Sequence, residues 1–296
     1  MATGTENPLL SPQLMARLEQ LELVSRRVFR GRMKGERRSS RKGQSVEFAD
    51  YRGYTLGDDL RFIDWNLYAR LDRLFLKLFL EEEDLHFTTI IDASRSMGFG
   101  EPSKFHVAKQ IAAALGFVGL CRADRVYVTP LATQPTAAPV LRGRSSMWRL
   151  LDYLQSIEPV HDVSLSRGVK NFCLRSRGRG IVVLITDLMD RGGYEAALRM
   201  LVGRRMEVFL LHLLSPEELD PTLQGDLKLV DCEDHDETEV TITRAMLKRY
   251  QQTLAAFIAE AKMFAAQRGI TYLSLRSDDP IERIVTQYLR LHGVVR

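Results

Sequence analysis

The sequence predicts an α/β protein: a doubly wound, mainly parallel sheet with helices on both faces, preceded by an N-terminal annex of loops and strand. Two observations predict it. From Leu85 onward, short apolar, β-branched runs alternate with longer segments of helical period, the pattern of a parallel sheet covered by crossover helices. Two of those runs, Thr88-Thr-Ile-Ile-Asp92 and Ile181-Val-Val-Leu-Ile-Thr-Asp187, end in an acid. The carboxyl ends of the strands are where open α/β sheets place their ligands.

The elements follow in order. Residues 1–10 show no period and read as disordered. Ser11 is an N-cap with Pro12 at the first helical position, and apolar residues at helical spacing run on to Leu23. From Arg26 to Lys42 there are nine basic residues and one acid, Glu36. Residues 44–65 mix aromatics with charge and have no clean period, with a turn at Gly57-Asp58. Leu74 to Leu80 reads as a strand buried on both sides apart from Lys77, and the acids Glu81 to Asp84 follow it. Strands then read at 85–92, 125–131, 181–186, 206–213 and 270–275. Helices read at 104–120, 146–155, 164–175, 193–203, 243–267 and 280–291, and a hairpin at 226–231 and 238–243 surrounds an acidic loop. The domain reading is therefore 1–43 as helix and basic arm, 44–84 as an annex packed on the main domain, and 85–296 as the α/β domain.

Asp92 is followed by Ser94 and Ser96. In an extended loop, residues two apart share a face, so the three side chains converge. One carboxylate and two hydroxyls make a hard oxygen cluster that suits Mg²⁺, or another divalent cation, with several waters retained. Asp187 joins them if its strand neighbours the first. The structural alternative is that these polar residues form only turns or caps.

Composition sets the frame. An apolar content of 45% and a charged fraction of 27% are those of a soluble globular protein. No apolar run reaches membrane-span length, and the start lacks the pattern of a secretory signal, so a cytoplasmic protein is expected. Cys121, Cys173 and Cys232 are too sparse for a disulfide framework. The chain has no G-x-S-x-G elbow and no G-x-x-x-x-G-K-[ST] loop. A dehalogenase-type phosphatase needs a second Asp where Ser94 stands, so its proton carrier is missing. His212 in an apolar strand reads as a packed residue rather than a base. The chain is thus expected to be no enzyme.

D-x-S-x-S after the first strand and a later strand-T-D resemble the metal-ion-dependent adhesion site of von Willebrand factor A domains. The resemblance implies that family's doubly wound fold, with the serines touching the ion, the acids acting through water, and a partner's carboxylate completing the shell. The stretch G-x-S-x-E-F-A-D-Y-R-x-Y-x-x-G-D-D-x-R-x-I-D-W-x-x-x-A-R, Gly43 to Arg70, is similar to the domain of unknown function 58 family. So are Glu81-Glu-Glu-Asp84, Tyr250 and Ser277-Asp-Asp-Pro-Ile-Glu-x-x-x-x-x-Tyr-Leu289. That resemblance implies a non-enzymatic adaptor acting with a MoxR-type AAA+ ATPase or its client. One departure stands out: Val163 falls where the adhesion site has threonine, and a valine cannot coordinate a cation. Ser164, or His161 and Asp162 just before it, would substitute after a small shift. Otherwise the site is degenerate and keeps its shape through hydrogen bonds.

The long motif has its own physical reading. Arg52 and Arg61 stand among Asp50, Asp58, Asp59 and Asp64, so arginine–carboxylate pairs are expected to pin a loop-rich layer onto the sheet domain, with Trp65, Phe62, Tyr51 and Tyr54 as apolar anchors. Asp58 and Arg61 in the tight turn are the candidates for partner contact. Two rival functions follow from other residues. The basic arm Arg26–Lys42 would suit nucleic acid but lacks interleaved aromatics, Phe29 standing alone. The acids at the strand tips would suit a metal-dependent hydrolase.

Overall fold

The computed structural model describes residues 9–23, 33–34, 46–81, 86–131, 139–160, 164–176, 180–204, 206–223, 225–230 and 237–296. The chain divides into two compact units, residues 1–26 with 85–296, and residues 27–84.

Helix α1 (Pro12–Leu18) belongs to the larger unit. Ser11 caps it as expected, its hydroxyl accepting from the Leu14 N–H at 3.2 Å. Leu9 and Leu10 are buried, against the expectation that residues up to 10 are disordered. Two adjacent leucines carry enough apolar area to gain from burial beside Leu14 and Leu18.

In the smaller unit, β1 (Met33–Lys34), β2 (Val46–Gly53) and, after helix α2 (Trp65–Leu71), β3 (Phe75–Glu81) form an antiparallel sheet in the order β1-β3-β2. The sequence shows β3 but neither β2 nor α2. The reason lies in exposure. Trp65 is 60% exposed and Leu71 55%, so the apolar residues of this seven-residue helix mark no buried face. Its start is set instead by Asp64, whose Oδ1 accepts from the N–H groups of Asn66 and Leu67, both at 3.0 Å.

The larger unit continues with β4 (His86–Asp92), α3 (Lys104–Cys121), β5 (Arg125–Leu131), α4 (Met147–Ser156) and α5 (Leu165–Arg175). Next come β6 (Gly180–Thr186), α6 (Glu195–Gly203), β7 (Glu207–Leu214) and the short α7 (Pro216–Leu219). A hairpin of β8 (Gly225–Val230) and β9 (Glu237–Ile242), then α8 (Arg244–Gln267), β10 (Thr271–Arg276) and α9 (Ile281–Arg283) complete it. α9 runs into a π-helical turn, Ile284–Leu289.

Five strands pair in the order β10-β7-β6-β4-β5, and all four pairings are parallel. The chain moves one way from β4 to β5, then returns past β4 to lay down β6, β7 and β10. The direction therefore reverses between β4 and β6, which makes that crevice the topological switch point. Pro130 is tolerated in β5 because β5 is the last strand of this order. Its far side carries an antiparallel bridge to Leu141, closed by two bonds to Val126 at 2.9 and 3.0 Å.

Alternate strand residues feed two cores. Phe87, Ile91, Val183 and Leu211 pack with α1, α3 and α4 on one face, while Ile90, Val182, Leu184 and Leu210 pack with α5, α6 and α8 on the other. This period of two, apolar on both sides, is why the strands read as continuous apolar runs. Gly180 is needed where β6 begins beside β4, since a Cβ there would lie 1.9 Å from the His86 carbonyl oxygen. Among the described residues no helix is long and apolar enough to cross a membrane.

Candidate functional site

The register sets the site. Ile91 of β4 lies opposite Ile185 of β6, so Asp92 and Thr186 end their strands side by side at the switch point. Asp92 is 5% exposed and Asp187 1%. The Asp92 Oδ2 accepts from the Thr186 hydroxyl at 2.6 Å, and its Oδ1 from the Ser94 N–H at 3.0 Å. Ser94 stands at the N-cap position of a 3₁₀ turn, Arg95–Gly98, yet its side chain caps nothing. Its hydroxyl faces that of Ser96, 2.9 Å away. The two serines and Asp92 are therefore gathered as the alternation in the sequence predicts, and the simple cap reading does not describe Ser94.

Burial pushes the Asp92 carboxyl up to about 6, helped by the negative charge of Asp187 and opposed by the bonds from Thr186 and Ser94. Among the described residues, no lysine or arginine pairs with it. Asp187 differs. Its Oδ2 accepts from the Lys104 ammonium at 2.7 Å and its Oδ1 from the Met189 N–H at 3.0 Å. Lys104 has no exposed surface and also bonds Glu218 at 2.5 Å. Burial alone would lower the lysine's pKa, but the charges of Asp187 and Glu218 outweigh it and the net direction is up.

The backbone of Asp187 is held as well. Its carbonyl lies 3.0 Å from Nε2 of His212 in β7. A carbonyl only accepts, so Nε2 carries the proton and Nδ1 accepts from the Tyr272 hydroxyl at 2.7 Å. Burial holds the His212 pKa down to about 4. After Asp187 the chain turns through Leu188, at φ +59°, whose N–H is held by the Thr186 hydroxyl at 3.0 Å.

Lys104, Thr186 and Glu218 escaped the sequence reading. Thr186 was visible in the strand-T-D pattern. Lys104 had a signal too: it opens a helix of which every residue but His106, Lys109, Gln110 and Cys121 is buried. A lysine inside such a helix calls for buried anions.

The other predicted residues lie elsewhere or outside the described structure. Ser164 caps α5, accepting from the Arg167 N–H at 3.5 Å, and pairs with the Ser166 hydroxyl at 3.1 Å. The α5 N-terminus is tied to the loop after β6 by Asp190, whose Oδ2 accepts from the Leu165 N–H. Asp162, with His161 and Val163, lies outside the described residues, as does most of the basic arm and the Asp231–Asp236 loop. In the smaller unit, Asp58 accepts from Arg52 at 2.9 Å and from both the N–H and the hydroxyl of Thr55. Those Thr55 bonds, more than Arg52, hold its carboxyl below the usual range. Arg61 grips Asp59 with Nε and Nη2, and its side chain is 74% exposed. Arg52–Asp58 and Arg61–Asp59 are thus local pairs within the smaller unit, and Tyr51 and Trp65, expected as apolar anchors, are 40% and 60% exposed. Asp64 instead takes the Tyr51 hydroxyl and the Lys77 ammonium, both at 3.0 Å.

The donors can be tested against a divalent ion. Ser94 and Ser96 share one bond between two hydroxyls and keep lone pairs beyond it. Asp92 is a buried carboxylate without a cationic partner among the described residues. One carboxylate and two hydroxyls fit a hard, largely hydrated ion such as Mg²⁺. Asp187 is differently placed, because its charge is met by Lys104. Among the described residues, no group of three or more His, Cys, Asp or Glu side chains gathers as metal ligands. Any ion here would rest on hydroxyls and water more than on charge.

A five-stranded parallel sheet with helices on both faces and D-x-S-x-S at its switch point makes this a doubly wound α/β domain, the fold that the von Willebrand factor A resemblance implies. The chain belongs to the protein family of unknown function DUF58, whose model matches residues 50–259. An uncharacterised protein of Mycobacterium tuberculosis is 27% identical over 273 residues, covering 90% of this chain and 86% of its own length. Among solved structures, the conserved hypothetical protein BatB of Bacteroides thetaiotaomicron is similar with a TM-score of 0.43 and 16% identity. That similarity covers 70% of this chain and 98% of BatB. The SpRpn10 VWA domain is similar with a TM-score of 0.40 and 9% identity, over 69% of this chain and 95% of that one.

Proposed function

We propose that the chain is a cytoplasmic, non-enzymatic adaptor that binds an acidic side chain of a protein partner at the carboxyl end of its parallel sheet. The observation that carries this reading is the convergence of Ser94 and Ser96 beside Asp92, a buried carboxylate that no lysine or arginine neutralises among the described residues. Ser94 and Ser96 offer their hydroxyl oxygens to a divalent ion, and Asp92 orients its waters. Such an ion, when bound, supplies an open position for a partner's carboxylate. Thr186 and the Ser94 N–H fix the Asp92 carboxylate, so its direction is set before any partner arrives. Asp187 stands beside the group with its charge met by Lys104, and adds field rather than a free ligand.

The partner class comes from the family resemblance. A MoxR-type AAA+ ATPase, or a client of it, is the proposed source of the acidic side chain. Immobilised chain should retain a purified MoxR-type ATPase in buffer holding Mg²⁺ and ATP, and a Ser94→Ala/Ser96→Ala variant in the same buffer should lose it. Using one buffer for both keeps the ATPase's own need for Mg²⁺ out of the comparison. Equal retention by the variant would move the contact elsewhere, Asp58 and Arg61 being the next surface to test.

A further inference from the structure

Lys104 touches more of this sheet edge than a single ion pair requires. It is the first residue of α3, so it closes the loop that carries Asp92, Ser94 and Ser96. Its N–H bonds the Phe99 carbonyl at 3.1 Å. Its ammonium reaches Asp187 in the loop after β6 and Glu218 after β7. Glu218 is itself fixed. Its Oε2 accepts from the Ser215 N–H at 2.7 Å, its own N–H bonds the Ser215 hydroxyl at 3.2 Å, and its carbonyl accepts from Tyr250 of α8 at 2.9 Å. The first loop also packs on the third, for a Cβ at Gly100 would lie 2.7 Å from the Ser215 Cβ.

The position is electrostatically costly for a cation. The N-terminus of a helix is its positive end, and Lys104 has no exposed surface through which water could help. Two carboxylates are what make it tenable. A fully buried ammonium at a helix start, met by acids from two other loops, has the reach and charge of a fixed counter-ion.

We propose that Lys104 is a built-in cation that assembles this end of the sheet, joining the loops after β4, β6 and β7 through Asp187 and Glu218 without any divalent ion. This goes beyond the adaptor reading and stands whether or not Asp92, Ser94 and Ser96 take an ion. Lys104 is a positioning residue: it holds the loops from which those side chains project.

The test is amide hydrogen exchange and thermal unfolding of the full chain in chelator, for the wild type, Lys104→Met and Lys104→Met/Asp187→Asn. In the wild type the amides of 94–100, 188–190 and 215–219 should be protected in chelator. Lys104→Met should raise exchange in all three loops together, leave β4 and β6 protected, and lower Tm by about 10 °C. Restoring charge balance in the double variant should recover at least about half of that shift. Wild-type loops that exchange freely until Mg²⁺ is added would overturn the proposal. So would a Lys104→Met effect confined to 94–104, or a double variant no more stable than the single one, including the case where neither folds. Partner retention plays no part in these readouts, so their failure is separate from failure of the adaptor reading.

Discussion

Asp92 and Asp187 stand at the tips of neighbouring parallel strands and are almost equally buried, yet the fold treats their charges in opposite ways. Asp187 receives an ammonium from Lys104, more than eighty residues away in sequence. Among the described residues, Asp92 receives neutral donors instead, from Thr186 and Ser94. Neutral donors stabilise a buried carboxylate less than a cation does, and burial, with the negative charge of Asp187, pushes the Asp92 carboxyl up to about 6 against them. One tip of the sheet is electrically closed from within. The other is left with a deficit of positive charge, beside two hydroxyls able to share a cation.

The largest effect expected from breaking this contrast is at the closed tip. Lys104→Met leaves Asp187 buried without its partner and should cost about 3–5 kcal/mol in chemical denaturation. Next come two effects of pH, which oppose each other. The folded pKa of Asp92 lies above its ordinary 3.8, so the fold favours the protonated acid. That contribution is fully present below about pH 4 and is lost as pH rises through 6, a change of about 3 kcal/mol. His212 has a folded value of about 4 against 6.5. Its contribution is present above 6.5 and is lost as pH falls towards 4, again by about 3 kcal/mol. Between pH 4 and 6 these two contributions therefore oppose each other in the wild type. Asp92→Asn should expose a loss of stability towards acid, and His212→Gln a gain. Denaturation midpoints across that range measure both slopes, and parallel curves for all three proteins would contradict the assignment.

Smaller changes sharpen the comparison at the open tip. Thr186→Val removes a buried donor and should cost about 1–3 kcal/mol, while moving the Asp92 titration to higher pH. Arg61→Ala should leave the denaturation midpoint almost unchanged, since its pair with Asp59 is exposed. An effect of Arg61→Ala on partner retention without loss of stability would mark it as a contact residue.

The same contrast explains what could be read from the chain alone. The central strands of the larger unit were legible because both faces of the sheet are covered there, and β6 is buried along its whole length. An unbroken apolar run like that from Ile181 to Ile185 is absent from β2, where Asp50, Tyr51 and Arg52 stay exposed or half-buried and leave no period to follow. Asp92, Ser94 and Ser96 were legible because they are close in sequence and their convergence needs only local geometry. Lys104, Glu218 and His212 act on Asp187 across long sequence separations. Only the strand order brings them together, and the order β10-β7-β6-β4-β5 is not written in any one segment.

The central claim is that Asp92, Ser94 and Ser96 accept a divalent ion while Lys104 replaces one at Asp187. Calorimetric titration of Mg²⁺ into the wild type and into Ser94→Ala/Ser96→Ala at about pH 6, where Asp92 titrates, tests it most directly. The wild type should bind with release of protons from Asp92, seen as a heat that varies with the buffer, and the double variant should show neither binding nor proton release. An identical titration in both proteins, or no binding by the wild type, would contradict it.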